Sequence, residues 1–525
     1  MGNGDCLHGS RRRFLTSAGL ACAALTTTLW LPKSSRGAPT GSVKRVIIVL
    51  CGGGVRWTST FDGQEDPSIN PWGVAPWGAL GSSAPAPSWG FGRMLMQVPV
   101  SQGATDWEGD IFPHLSSDDF YNTQHSVLPS WDGAVMPTFA DIAHETAVVR
   151  LNNNPAGEVN VDHNAAGICL FTGSTAGGSA GMATSIYEAL KRQLGANIDQ
   201  YYPLPPIATG GGAGFGVGVG DWASSRPIAL PTATLLPTRD PTKSVSAWGR
   251  RAELTLDADF GASLPDYNAR KVADFINDKH NAELYGGPLL EPALRVLDNP
   301  GEALGETVGD VALTNQMLLE LFGVQSAVTT PGDILFDAYA SENKSSWDID
   351  WFGYNAAFAV RMIQMGAPVV AVEAMDQLFD THAGEVVGDA RGSHAFHIVR
   401  LARSLAALEF ALKNVRDPQD ASATLWDSTV VVVCSEFGRT PGFNVGGANG
   451  GGSDHHYWSG WPVLGGPVVQ AGAGGKLITD TVHDGFFHQN RFFTTLMAAM
   501  GVEEENSTYL PYQFFPPIQG LFEGV

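Results

Sequence analysis

The residues most able to do chemistry sit on either side of residue 440. Glu436 and Arg439 follow an almost purely β-branched run, Val430 to Cys434, and a glycine-rich loop then leads to Asp454, His455 and His456. Earlier in the chain, Asp380 and His382 are spaced two apart. In an extended segment residues i and i+2 face the same way, so both could reach one ion. Carboxylates mixed with imidazoles suit Zn or Mn better than Ca or a thiolate site. Adjacent His455 and His456 cannot both point inward from a regular strand, which makes one a ligand and the other a supporting or substrate-facing group. The bland alternative for this region is a Glu436–Arg439 salt bridge beside two solvated histidines. Asp162 and His163 open an Ala-rich helical run ending at Thr172-Gly173. That places polar groups at a helix N-terminus, either as an anion site or with Asp162 as a helix cap.

These groups need strands to carry them. A short apolar run reads as a strand buried on both faces. Four such runs occur, at Lys44–Cys51, Ala147–Leu151, Pro368–Ala374 and Val430–Cys434, with Pro203–Ala208 as a shorter extended piece. Helices are expected at Val135–His144, Met182–Leu194, Tyr267–Leu284 and Thr314–Phe322. Another starts at His394, where Ile398, Leu401, Leu405, Leu408 and Leu412 step by three and four residues. Helices alternating with Val- and Ile-rich strands predict an α/β fold with a mostly parallel sheet covered on both faces. In such a sheet the functional groups gather at the carboxyl ends of the strands. That edge would collect Gly52-Gly53-Gly54, the 380–382 segment and Glu436-Arg439. The glycine run at Thr209–Gly220 fits neither nucleotide-loop pattern and reads as a plain loop.

The strongest motifs together resemble a known family. They are Ser435-Glu436-Phe437-Gly438-Arg439-Thr440-Pro441 with Asp454-His455-His456, then Asp380-Thr381-His382, Val148-Val149-Arg150-Leu151, and Asp162-His163 with Thr172-Gly173. The chain resembles the DUF1501 proteins over nearly its whole length after the N-terminal segment. These are exported bacterial proteins grouped with the alkaline phosphatase/sulfatase superfamily. The resemblance implies a three-layer α/β/α, doubly wound fold and a metal centre at the strand ends; most members of that superfamily hydrolyse phosphate or sulfate esters, while the DUF1501 family itself has no settled activity. Several family positions differ. Where superfamily enzymes place an Asp after the first strand, this chain has Cys51-Gly52-Gly53, with Asp62 further on. Ser59 stands where the family has an Asp. Ala166 stands where sulfatases keep their nucleophile.

Composition bounds the remaining choices. Hydrophobic residues make up 44% of the 525 and charged residues 16%, enough apolar material for a large core. A net charge of −22 argues against non-specific nucleic-acid or anionic-membrane binding. Ser10-Arg11-Arg12-Arg13-Phe14-Leu15 followed by an apolar stretch to Leu31 reads as a twin-arginine signal peptide over residues 1–38, too short for a stable membrane span. This predicts export by the twin-arginine translocase to the periplasm or beyond. Residues 39–525 are expected to form one domain, with irregular insertions at about 63–130 and 210–345. Of the five cysteines, Cys51, Cys169 and Cys434 lie beyond the signal, in apolar runs and without C-x-x-C spacing.

The expectation is therefore an exported metal-dependent hydrolase of an anionic ester. Asp380, His382, Glu436 and the Asp454-His455-His456 cluster would hold Zn or Mn. Arg439 would neutralise developing charge, and His163 would act as base or nucleophile. The alternative is a non-catalytic relative that keeps the fold as an exported scaffold or binding protein.

Overall fold

The computed structural model describes residues 40–62, 127–137, 139–153, 163–173, 181–202, 394–440 and 454–525, with short stretches between 206 and 379. The expected signal peptide, most of the two insertions and the Tyr267–Leu284 helix lie outside the described residues.

A nine-stranded sheet organises the molecule. Its strands are β1 (Arg45–Cys51), β2 (Thr146–Asn152), β3 (Ile207–Thr209), β4 (Ile228–Leu230), β5 (Val369–Met375), β6 (Thr429–Cys434), β7 (Trp458–Gly465), β8 (Leu477–Ile478) and β9 (Phe487–His488). The order across the sheet is β8-β2-β7-β6-β1-β5-β3-β4, with β9 also paired to β2. The pairings make the sheet parallel except for β7, which runs against both β6 and β2. Every residue of β1 and β6 is buried, as their unbroken apolar runs require. The four long parallel strands appear within a residue or two of their expected bounds. Strand β4 comes from inside the stretch read as the second insertion.

The antiparallel β7 is absent from the sequence reading. Gly460 and Pro462 break its pattern, and proline is rare in the middle of a sheet. Here β7 pairs with β2 over seven residues but with β6 over only three, Val463 to Gly465. The shorter ladder stops beside Pro462, which has no N–H to donate. Beyond that point β6 and β7 are no longer paired, and the end of β6 is open to the loops that carry the candidate site. Gly460 serves the same end of the sheet, since a Cβ there would lie 2.5 Å from the Cβ of Asp62.

Helices cover the sheet: α1 (His163–Thr172), α2 (Met182–Leu194), α3 (His394–Asn414), α4 (Gly466–Gln470) and α5 (Gln489–Ala499). Helix α2 has the expected bounds and closes on Gly195, whose φ of 56° suits glycine. Helix α3 buries Leu401, Leu405, Leu408 and Leu412, the stripe read from its spacing. The helix expected over Val135–His144 shrinks to Phe139–Ile142 and a 3-10 turn, because residues 134–135 pair with 127–128 as a small hairpin. Asn315–Leu321 is helical as expected. All three cysteines beyond the expected signal are buried and free.

At the amino ends of the strands, Arg45 forms a bidentate pair with Asp417 at 2.8 Å, and both are almost fully buried. Ser428 Oγ joins the pair from the base of β6. Burial alone would raise the Asp417 carboxyl, but the Arg45 hydrogen bonds and charge outweigh it and hold it below the usual carboxylate range.

Candidate functional site at the carboxyl ends of the central strands

Strand β1 ends in a glycine turn to which the site is anchored. Gly53 and Gly54 have φ of 97° and 86°, a conformation that favours glycine. A Cβ on Gly54 would also meet the Phe437 ring at 2.7 Å. Directly beside this turn β6 delivers Ser435, Glu436 and Phe437. The Gly53 N–H donates to Glu436 Oε1 at 2.8 Å. Arg439 Nε donates to the Gly53 carbonyl at 2.8 Å, and its Nη2 reaches the same oxygen. One peptide group of the turn and its neighbour are thus held by a carboxylate on one side and a guanidinium on the other. Both side chains are buried. Arg439 also lies over the Phe437 ring, 5.6 Å from its centroid.

The Asp-His-His segment returns to the same place. Residues 438–439 pair antiparallel with 455–456, setting Gly438 opposite His456 and Arg439 opposite His455. The Thr440 N–H donates to the Asp454 carbonyl at 2.8 Å, and the Asp454 N–H donates to Thr440 Oγ1 at 3.0 Å. The His455 ring stacks on Phe437 with centroids 3.9 Å apart. His456 Nδ1 accepts the Trp458 N–H at 3.1 Å, and its ring stacks on Tyr457. Burial, helped by the charge of Arg56, pushes the His456 imidazole down to about 4. Asp454 is exposed, and its Oδ1 accepts the N–H of His455.

Glu436, Arg439, Asp454, His455 and His456 are therefore gathered on one turn and one short hairpin. Asp380 and His382 lie outside the described residues. Phe379, immediately before them, is buried and donates its N–H to the Gly52 carbonyl at 3.3 Å. His163 is the first residue of α1, and its side chain lies outside the description. Ala166 is buried. Cys169 on the same helix accepts from Gln489 Nε2 at 3.3 Å, and burial raises its thiol to about 11, so it is not a nucleophile at neutral pH. Among the described residues, no group of three or more His, Cys, Asp and Glu side chains is placed to hold a metal.

Asp62, further along from the first strand, is held within the protein. Arg150 Nε and Nη2 each donate to it at 2.8 Å, and Trp458 Nε1 donates at 2.7 Å. Both oxygens are engaged, and the group ties the glycine-turn loop to β2 and β7. Three residues of this region went unread in the sequence. Arg56 is buried and donates to the Thr440 carbonyl at 2.6 Å. Asn153 crosses from the end of β2, its Nδ2 donating to the Ser435 carbonyl at 3.0 Å. Arg150 completes the set. Arg150, half-buried within β2, stands in the Val148-Val149-Arg150-Leu151 run, but its partner lies 88 residues away.

The mostly parallel sheet with helices packed on it defines a mixed α/β protein. More particularly, residues 43–515 match the family described as "Protein of unknown function (DUF1501)", and the chain belongs to that family. No curated protein and no solved structure matches the chain.

Proposed function

We propose that the protein is an exported metal-dependent hydrolase of anionic phosphate or sulfate esters, built on an alkaline phosphatase-like three-layer fold. One observation carries this reading. Phe379 N–H to Gly52 and Gly53 N–H to Glu436 link the chain one residue before Asp380 to the buried carboxylate at the end of β6. Phe379 and Glu436 therefore both bond to the same glycine turn. Glu436 offers a carboxylate with hardly any water contact. His455 adds an imidazole from the facing hairpin, and Asp380 with His382 complete a mixed oxygen and nitrogen set suited to Zn or Mn. Such an ion would polarise the ester and lower the pKa of bound water. Arg439 fixes the turn, Arg56 adds positive charge beside it, and His163 opens α1 as the base. Export through the twin-arginine route is part of the same reading and rests on residues 1–38.

A second reading has its own support. Glu436 and Arg439 both bind Gly53, which is what a purely structural clamp would do. Metal analysis of the purified protein, followed by aryl phosphate, phosphodiester and aryl sulfate substrates, separates the two. Metal-dependent turnover that vanishes in Glu436→Gln supports the hydrolase. Protein without metal or turnover, whose stability ignores added Zn2+ and Mn2+, supports the scaffold.

A further inference from the structure

One side of the candidate site opens between two strands. Strand β6 pairs with β7 only through Val430–Val432 and Val463–Gly465. Toward the carboxyl end of β6 the two strands share no ladder, and Asn153 spans the opening. Its backbone N–H donates to the Tyr457 carbonyl at 3.0 Å, beside His456. Its side-chain Nδ2 donates to the Ser435 carbonyl at 3.0 Å, beside Glu436. A carbonyl can only accept, so the amide nitrogen must face Ser435 and Oδ1 must take the other position. Both atoms sit on one carbon, which places Oδ1 next to the Ser435–Glu436 peptide.

Asn153 Oδ1 is buried and has no hydrogen-bond partner among the described residues. The same holds for Ser459 Oγ on β7. Ser459 pairs with Leu151 of β2, and Asn153 follows Leu151 by two positions. Strand alternation sets both side chains on one face. Diagonal neighbours of this kind lie about 7–8 Å apart, a gap that one small polar group can bridge. Buried oxygens left without partners are costly, and they persist where something else satisfies them. Oδ1 only accepts, so the missing group must donate. A hydroxyl meets both needs, donating to Asn153 and accepting from Ser459. An ionised phosphate or sulfate oxygen has no hydrogen to give.

We infer that Asn153 Oδ1 and Ser459 Oγ bind a hydroxyl on the alcohol portion of the ester, so that the site selects esters of polyols or sugars over esters of simple alcohols. The inference rests on the anionic-ester reading for the rest of the ligand. Asn153 is then a specificity-determining residue, with one end of its amide holding Ser435 and the other reading the substrate.

The test compares glycerol 1-phosphate with n-propyl phosphate, which differ only in hydroxyl groups. Calorimetric titration of the parent, with Zn2+ or Mn2+ present, should show glycerol phosphate bound at least about tenfold more tightly. Ser459→Ala leaves the Asn153–Ser435 bond in place. It should cut that ratio by about threefold and leave propyl phosphate binding unchanged. Asn153→Leu also loses the Ser435 bond, so its readout is the ratio, which should fall to near one. Ser459→Ala keeps the inference testable if Asn153→Leu fails to fold. A parent that binds the two ligands equally or not at all overturns the inference, as does a ratio unchanged in both variants. So does a crystal structure of the glycerol phosphate complex with a sealed water on Oδ1 and no ligand hydroxyl there. Selective binding without turnover of any ester leaves the inference standing and removes the hydrolase reading. Turnover of both esters without discrimination removes the inference alone.

Discussion

The two ends of the central strands solve the same problem differently. At the amino ends, ionisable side chains meet one another. Arg45 is clamped by Asp417, and Lys413 lies between Glu145 and Glu409 next to the start of β2. At the carboxyl ends, charged side chains mostly grip backbone. Glu436 takes the Gly53 N–H, Arg439 the Gly53 carbonyl and Arg56 the Thr440 carbonyl. A charge pair fastens two elements of regular structure together. A charge on a peptide group instead fixes the shape of a loop, and loops of fixed shape are what preorganise a site. Among the described residues, the Asp62–Arg150 pair brings the first device to the carboxyl edge, where it anchors the loop that holds the glycine turn.

This contrast predicts that substitutions at the amino edge cost stability and those at the carboxyl edge cost function. The largest loss of stability is expected for Asp417→Ala, which leaves the Arg45 guanidinium buried without its carboxylate. Removing one partner of such a pair costs about 3–5 kcal/mol, measurable by urea denaturation. The same pair sets an acid limit. Because the folded carboxyl is held below its unfolded value, its contribution is present above the unfolded pKa and is lost as pH falls through the folded one. Asp417→Asn should therefore flatten the acid side of the stability profile. If Asp417→Ala is as stable as the parent, the division of labour between the two edges fails.

Glu436→Gln tests the other edge. The amide oxygen can still accept the Gly53 N–H, so stability should fall by no more than about 1 kcal/mol. Metal content and ester turnover should collapse by at least about a hundredfold, the scale on which site electrostatics act. A Glu436→Gln protein that is badly destabilised yet loads metal normally would assign Glu436 to the scaffold. Gly54→Ala is expected to cost about 1–2 kcal/mol for its left-handed backbone alone, and more because the new Cβ meets Phe437. It should impair metal loading together with stability, since the turn is shared.

How much of this was legible in the sequence follows from the range of each interaction. Strands β1, β2, β5 and β6 announce themselves because burial on both faces leaves only apolar residues, and α3 because its stripe is periodic. Strand β7 is hidden because Pro462 and Gly460 are there for the splay and for Asp62, not for strand propensity. Glu436 and Arg439 could be assigned to a strand end from local pattern. Their shared partner could not, because Gly53 lies 383 residues before Glu436 and a backbone group carries no side-chain signature. Asn153 was missed for the same reason, as its partner is the carbonyl of Ser435. The bond from the Trp458 N–H to His456 Nδ1 is likewise a backbone contact that no residue pattern encodes.

A pH effect sharpens the comparison at the amino edge. Glu409 is buried, and burial outweighs its bond to Lys413 to raise its carboxyl to about 7, with Glu145 nearby adding repulsion. An unperturbed glutamate titrates near 4.3. Between about 4.5 and about 7 the folded protein therefore holds a proton that the unfolded chain has released. Over that window the unfolded state binds fewer protons, so stability falls as pH rises, by at most about 1.4 kcal/mol per pH unit. Denaturation midpoints measured across that window should show the decline, and Glu409→Gln should remove it. The Asp417 contribution has the opposite slope and acts at lower pH, so the two variants are distinguishable in one titration series. A profile that stays unchanged in Glu409→Gln would mean that Lys413 keeps Glu409 ionised, making this triad an ordinary ion pair like Arg45–Asp417.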